Sequence, residues 1–269
     1  MASQELAQRN PSVQSPANPA TSDSYQSIGE LASDLPPAKV LQIAQQAAIA
    51  SLDLSLENAE NVRVLNTLDD HQPVSSQPEF QAVWSHLQRQ LWRTIPEPVL
   101  TTDPSIDLGA MSCSQVMLNP SQYDHPDDKW FVMSHEVAHA ELGHSSRRAA
   151  LDHVGRASTD ESDQFRGVLQ KAKWDLELEA DRRGLQMVAD KLTDPAQILL
   201  SLMETREGPE HPDGLSRASS ARIALQEKGV SVSDEVWAGL LEQTQARRDR
   251  FAQLAADEKE YRKSLSKFV

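Results

Sequence analysis

The sequence predicts an α+β fold in which helices predominate around a small β-sheet. Three observations lead there. Long segments repeat apolar residues at helical spacing. One stretch, 95–118, instead mixes Pro, Thr, Ser and Val with partial alternation. Several helical segments also carry capping or stop residues at their ends. Pro36-Pro37 precede an Ala- and Gln-rich helical run, about 40–56. A second helix, about 78–92, places Phe80, Val83, Trp84, Leu87 and Leu91 on one face. The stretch from Ile95 to Leu118 reads as two short strands, near 98–101 and 113–118. Asp124-His125-Pro126-Asp127-Asp128 then opens a helix that carries Trp130 through about Gly143, with Pro near its first position and acids in its first turn. A long helix follows, about 163–192. Asp194 caps the next, another runs over about 215–228 and stops at Gly229, and Ser233 caps a charged helix over about 234–264.

Residues 1–36 are rich in Ser, Gln, Asn, Pro and Ala and poor in large apolar side chains. Such a segment buries too little surface to offset its ordering entropy, so a disordered tail is expected there and a single folded domain over 37–269. The tail reads either as a loose end or as an export signal that needs no cleavable peptide. The net charge is −14, from 26 basic and 40 acidic side chains, which repels nucleic acid and anionic membrane surfaces. No window approaches the roughly 18 apolar residues of a membrane helix. The start, Met-Ala-Ser-Gln-Glu-Leu, lacks the basic region and apolar core of a secretory signal, so the cytoplasm is the expected compartment. With one cysteine, Cys113, the chain forms no internal disulfide.

His135-Glu136-Val137-Ala138-His139 is an HExxH pattern. Histidines at i and i+4 stack on one helix face and can share one tetrahedral metal. The glutamate between them points sideways, to the water on the metal rather than to the metal itself. Trp130-Phe131-Val132-Met133 precede the motif, so its helix is expected to be buried, where unpaired histidines and a glutamate would cost several kcal/mol. The residue pattern therefore predicts a peptidase with one zinc ion per chain, on His135 and His139, with Glu136 as general base.

A third protein ligand is needed. In HExxHxxGxxH it falls at position 145, which is Ser145, while His144 is off register by one. Glu161 lies in a polar stretch, 158–163, that reads as loop and helix cap. Glu177 is better placed, inside the long helix. It shares a face with Asp181, at the border of an apolar line through Phe165, Leu169, Leu176, Ala180, Gly184 and Met187. Two carboxylates there suit a ligand and an acceptor for a ligand histidine. The competing reading is a solvated charged edge paired with Arg182 and Arg183.

HEVAHAELGH followed by ELEADRRG resembles the HtpX and CAAX-prenyl-endopeptidase family of zinc metallopeptidases, whose soluble branch includes BepA-like and Oma-like proteins. The family shows HExxH, often another histidine five residues on, ExxxD on a later helix, and a His-Pro pair ahead of an Arg-containing helix. Here these are His135 to His139, His144, Glu177 to Asp181, and His211-Pro212 ahead of Arg217 and Arg222. The resemblance covers about residues 80–228, the core of the domain. It implies a zincin-type (gluzincin) fold, with helices around a small sheet whose edge strand holds an extended protein or peptide substrate. It also implies Glu177 as third ligand and Asp181 as orienter of a ligand histidine. His211 becomes either a removable fourth ligand or, swung away, a donor to the oxyanion. The chain lacks the Asn-Ala-Phe segment that the family often carries before the helix, and the membrane helices of HtpX have no counterpart.

The remaining candidates read more plainly. His71, His86 and His153 are expected at the surface. Trp84, Trp92, Trp130 and Trp174 read as packing anchors, and the last helix as a solvated one. Nothing in the sequence places a histidine against Cys113. Two rivals share the motif: a zinc-stabilised adaptor without activity, against which the retained Glu136 argues, and the same peptidase exported as an effector.

Overall fold

The computed structural model describes residues 63, 65, 70–106, 108–112, 114–157, 163–205, 208–209 and 211–265. The expected tail, the run 40–56, Cys113 and Glu161 lie outside them, as does the side chain of His153. Helices predominate. They are α1 (Pro78–Gln88), α2 (Asp128–Leu142), α3 (His144–Ala157), α4 (Asp163–Val188), α5 (Pro195–Met203), α6 (Gly214–Glu227) and α7 (Asp234–Leu265). The sheet has four strands, β1 (Gln72–Pro73), β2 (Val99–Leu100), β3 (Gly109–Ser112) and β4 (Gln115–Leu118), in the order β1-β2-β4-β3. β2 and β4 are parallel and the two outer pairs antiparallel.

β4 is buried along its whole length, as a strand flanked on both sides should be, and β3 forms the outer edge beside α2. Two strands were expected in this region and they are β2 and β4. β1 and β3 were not foreseen. β1 (Gln-Pro) and β3 (Gly-Ala-Met-Ser) carry no β-branched or aromatic residue to mark them as strands.

α1 buries Phe80, Val83, Trp84 and Leu87 as its spacing requires. It stops at Gln88 instead of Trp92, because the chain turns there and the Gln90 amide donates to Met187 O at 2.7 Å. Trp92 is then 40% exposed and lies under the Arg183 guanidinium, not in the core. His86 was expected at the surface and is instead part-buried, 2.8 Å from the same Met187 oxygen.

α2 is buried nearly all round, with Phe131, Met133, Val137 and Ala140 in the main core. Asp127 at its start accepts from Thr193 N, Thr193 Oγ1 and Asp194 N, at 2.8, 3.0 and 2.7 Å, and so ties α2 to the entrance of α5. Asp194 caps α5 as expected, accepting from Gln197 N at 3.1 Å. Gly143 ends α2 in the left-handed region, φ +67°, which a side chain would strain. α3 starts at the next residue. No helix was expected over 144–157, since Gly143 reads as a stop.

α4 crosses α2 at Gly184. A Cβ there would lie 2.9 Å from His135 N, closer than atoms tolerate, so the missing side chain lets the two backbones touch. The first half of α7 buries Leu240 and Thr244, packs a half-buried Trp237 against the core, and is otherwise exposed. No helix among the described residues is long and apolar enough to cross a membrane.

Candidate metal centre

The close crossing of α2 and α4 brings three donors together. His135 and His139, one turn apart, direct Nε2 atoms to within 3.0 Å of each other. Glu177 enters from α4, with Oε2 3.6 Å from His135 Nε2 and Oε1 3.5 Å from His139 Nε2. Tetrahedral ligands about 2.05 Å from a metal sit about 3.4 Å apart, and each histidine has a Glu177 oxygen near that distance, a different oxygen for each. All three side chains are buried, and together they could hold a metal ion. Glu177 is 3% exposed, which removes the solvated-edge reading.

Charged groups hold this triad from behind. Asp181 is fully buried and takes two hydrogen bonds from Arg217, at 2.8 Å from Nε and 2.7 Å from the terminal nitrogen. Its Oδ1 lies 2.8 Å from His135 Nδ1, a close ionic contact rather than an aligned hydrogen bond. Arg148 of α3 donates to Glu177 Oε1 at 2.8 Å. His211 lies 2.9 Å through Nδ1 from Glu177 Oε2, so it meets the carboxylate rather than joining the triad. The turn bearing His211 is suspended from α4, where Trp174 Nε1 donates to Gly208 O and Gln170 to Pro209 O, each at 2.9 Å. Trp174, expected as a packing anchor, is thus also a hydrogen-bond donor.

Glu136 lies on the cleft side of α2, about 100° around the helix from His135. Its methylene stands against β3, where a Cβ on Gly109 would come within 2.9 Å of Glu136 Cγ. The glycine therefore lets the strand pass beside the carboxylate. The cleft outside has a volume of about 440 Å³ and is walled by Gly109, Glu136, Ser145, Arg148, Asp152 and His211.

The charges follow from burial and pairing. Burial pushes the Glu136 carboxyl up to about 7, reinforced by Glu177 and opposed by His135. Burial works to raise Glu177 too, but its contacts with His135, His139 and His211 outweigh it, and it stays ionised far below the usual range. For His135, burial opposes protonation and is overcome by Asp181 and Glu177, giving about 10. Burial lowers His139 to about 4.

The six residues singled out by sequence, His135, Glu136, His139, Glu177, Asp181 and His211, thus meet in one place. Arg148 was missed as a contributor, and His144 was matched through the resemblance but given no role. His144 is 1% exposed, with Nδ1 2.8 Å from His139 Nδ1, behind the ligand rather than beside the metal position. Its place five residues after His139 is the signal by which the sequence named it. Comparison with models of protein families, with curated proteins and with solved structures finds no match for this chain.

Proposed function

We propose that the chain is a zinc-dependent endopeptidase of zincin type. The observation that carries this is the pairing of a buried His135–His139–Glu177 triad with Glu136 on the open side, against an edge strand. Two imidazoles and one carboxylate are a donor set of catalytic zinc, which leaves one position open. Zinc held there supplies Lewis acidity, making water more acidic and stabilising negative charge on a carbonyl oxygen.

The chain's own residues do the rest. An extended peptide adds to the outer edge of β3, and Gly109 lets its carbonyl approach Glu136. Glu136 takes a proton from water as the water oxygen bonds to the carbonyl carbon. It returns that proton to the amine nitrogen as the C–N bond breaks. Glu136 lines the cleft in which both transfers would take place. A zinc-stabilised adaptor would use the triad equally well, but it would leave Glu136 facing the cleft without a task.

The test compares wild type with Glu136→Gln by mapping new peptide termini across a proteome, alongside zinc content. Cleavage should vanish in the variant while about one zinc per chain remains. Near-normal cleavage by Glu136→Gln would remove Glu136 as the base. Absence of zinc in repleted wild type would remove the proposal itself.

A further inference from the structure

α4 carries a third carboxylate between Glu177 and Asp181 that the proposed chemistry leaves unused. Glu179 points towards α3, where Oε2 lies 3.4 Å from His144 Nε2 and 2.7 Å from the Arg147 guanidinium. His144 Nδ1 in turn meets His139 Nδ1 at 2.8 Å. Behind His135 the corresponding position is filled directly by Asp181, itself held by Arg217. The two sides match: each triad histidine is backed by a carboxylate of α4, and each carboxylate is held by an arginine. The difference is one inserted imidazole.

The protons in this chain are determined by elimination. A histidine bound to metal through Nε2 keeps its proton on Nδ1. His139 Nδ1 is then the donor and His144 Nδ1 must accept, since two N–H groups cannot face each other at 2.8 Å. A neutral His144 therefore carries its proton on Nε2, the atom that faces Glu179. That atom is buried and has no aligned hydrogen bond, so the carboxylate is the ionic partner for its N–H.

We infer that His144 and Glu179 are positioning residues for the metal ligand His139: the relay Glu179–His144–His139 fixes the tautomer and ring direction of that ligand. Asp181 does the same for His135 without an intermediary. The inference rests on the metal-binding part of the proposed function, but not on peptidase chemistry.

The experiment uses the full chain loaded with zinc. Long-range proton–nitrogen NMR of the imidazoles reads the tautomers, and competition with a chelator reads zinc affinity. In wild type, His144 should carry its proton on Nε2 and His139 on Nδ1. His144→Leu, which keeps bulk and removes the acceptor, should lower zinc affinity roughly 10–100-fold. His144→Asn places an amide oxygen where Nδ1 stood, and should restore most of the affinity. Glu179→Gln should lose less than His144→Leu. A proton on Nδ1 of His144, or a His144→Leu affinity within about twofold of wild type, overturns the inference. Should His144→Leu fail to fold, the wild-type tautomer and the Asn variant decide by themselves. Wild type that binds no zinc overturns the metal reading and this inference together, whereas zinc binding with the predicted tautomers but no proteolysis sustains the inference and removes only the peptidase.

Discussion

Side-chain placement in the centre follows from what each helix position can reach. His135 and His139 share a face, Glu136 turns out of it towards the cleft, and Glu177 and Asp181 arrive on one face of the crossing helix. His211 is the exception, because it comes from a turn. Its side chain is 47% exposed, and its hold on Glu177 Oε2 competes with any ion for that oxygen. We therefore expect His211→Ala to raise peptidase turnover several-fold and leave zinc stoichiometry unchanged, as measured on a substrate established with wild type. A fall of about 10²–10³-fold would instead make His211 a donor to the oxyanion. The motif residues were legible because HExxH and ExxxD each encode a helix face in their spacing. Glu179 and Arg148 were not legible, since their roles depend on α3, a helix that the stop at Gly143 hid from the sequence reading.

At the scale of elements, the site depends on two backbone features that sequence patterns hardly register. One is Gly184, which reads as part of an apolar line and is in fact the contact point of α2 and α4. Gly184→Ala puts a methyl against His135 N and the Ser134 backbone, so the helices must separate. We expect a loss of about 1–3 kcal/mol in denaturant unfolding, the usual cost of overpacking, together with weaker zinc binding. Unchanged stability and affinity would show that the crossing is looser than these distances imply. The other feature is the start of α6, the helix that carries Arg217 to Asp181. Asp213 caps it, accepting from Leu215 N and Ser216 N at 3.1 Å each. Its carboxyl is held below the usual value, chiefly by the Ser216 hydroxyl. A lowered folded-state value means stability that is present above the unfolded value near 3.8 and lost as pH falls through the folded one. Asp213→Ala should accordingly cost about 1 kcal/mol at pH 7, and progressively less below about pH 4. A cost independent of pH would assign the effect to the methyl and not to the charged cap. The short strands β1 and β3 and the joint at Gly143 escaped the sequence reading for a related reason. Strands without β-branched or aromatic residues carry no strand signal, and a glycine after a helix looks the same whether the chain stops or turns into another helix.

Across the whole molecule, the candidate metal centre and the hydrophobic core are separate structures joined through α2. One face of α2 packs Val132, Met133, Val137 and Ala140 among the buried residues around β4 and α1, and the other presents the histidines. The core does not depend on the triad, so the chain should fold without metal, unlike a small zinc-dependent domain. The triad nevertheless exists only when α2 and α4 are packed together, so the zinc of the proposed function would bind the folded state and not the open chain. At free zinc about 1,000-fold above the dissociation constant, this adds about 4 kcal/mol to unfolding, by mass action. For a chain of this size that is a rise in Tm of roughly 8–16 °C. Calorimetry of stripped and zinc-repleted protein should show a cooperative transition in both, with the repleted one higher by that order. His139→Ala should abolish the difference and Glu136→Gln should retain it, because Glu136 is expected to act on water and His139 on the ion. A stripped protein without any transition would mean that the core cannot stand without the metal. Identical transitions in both would mean that no ion binds the triad tightly, and the geometry that carries the proposed function would then have to serve some other end.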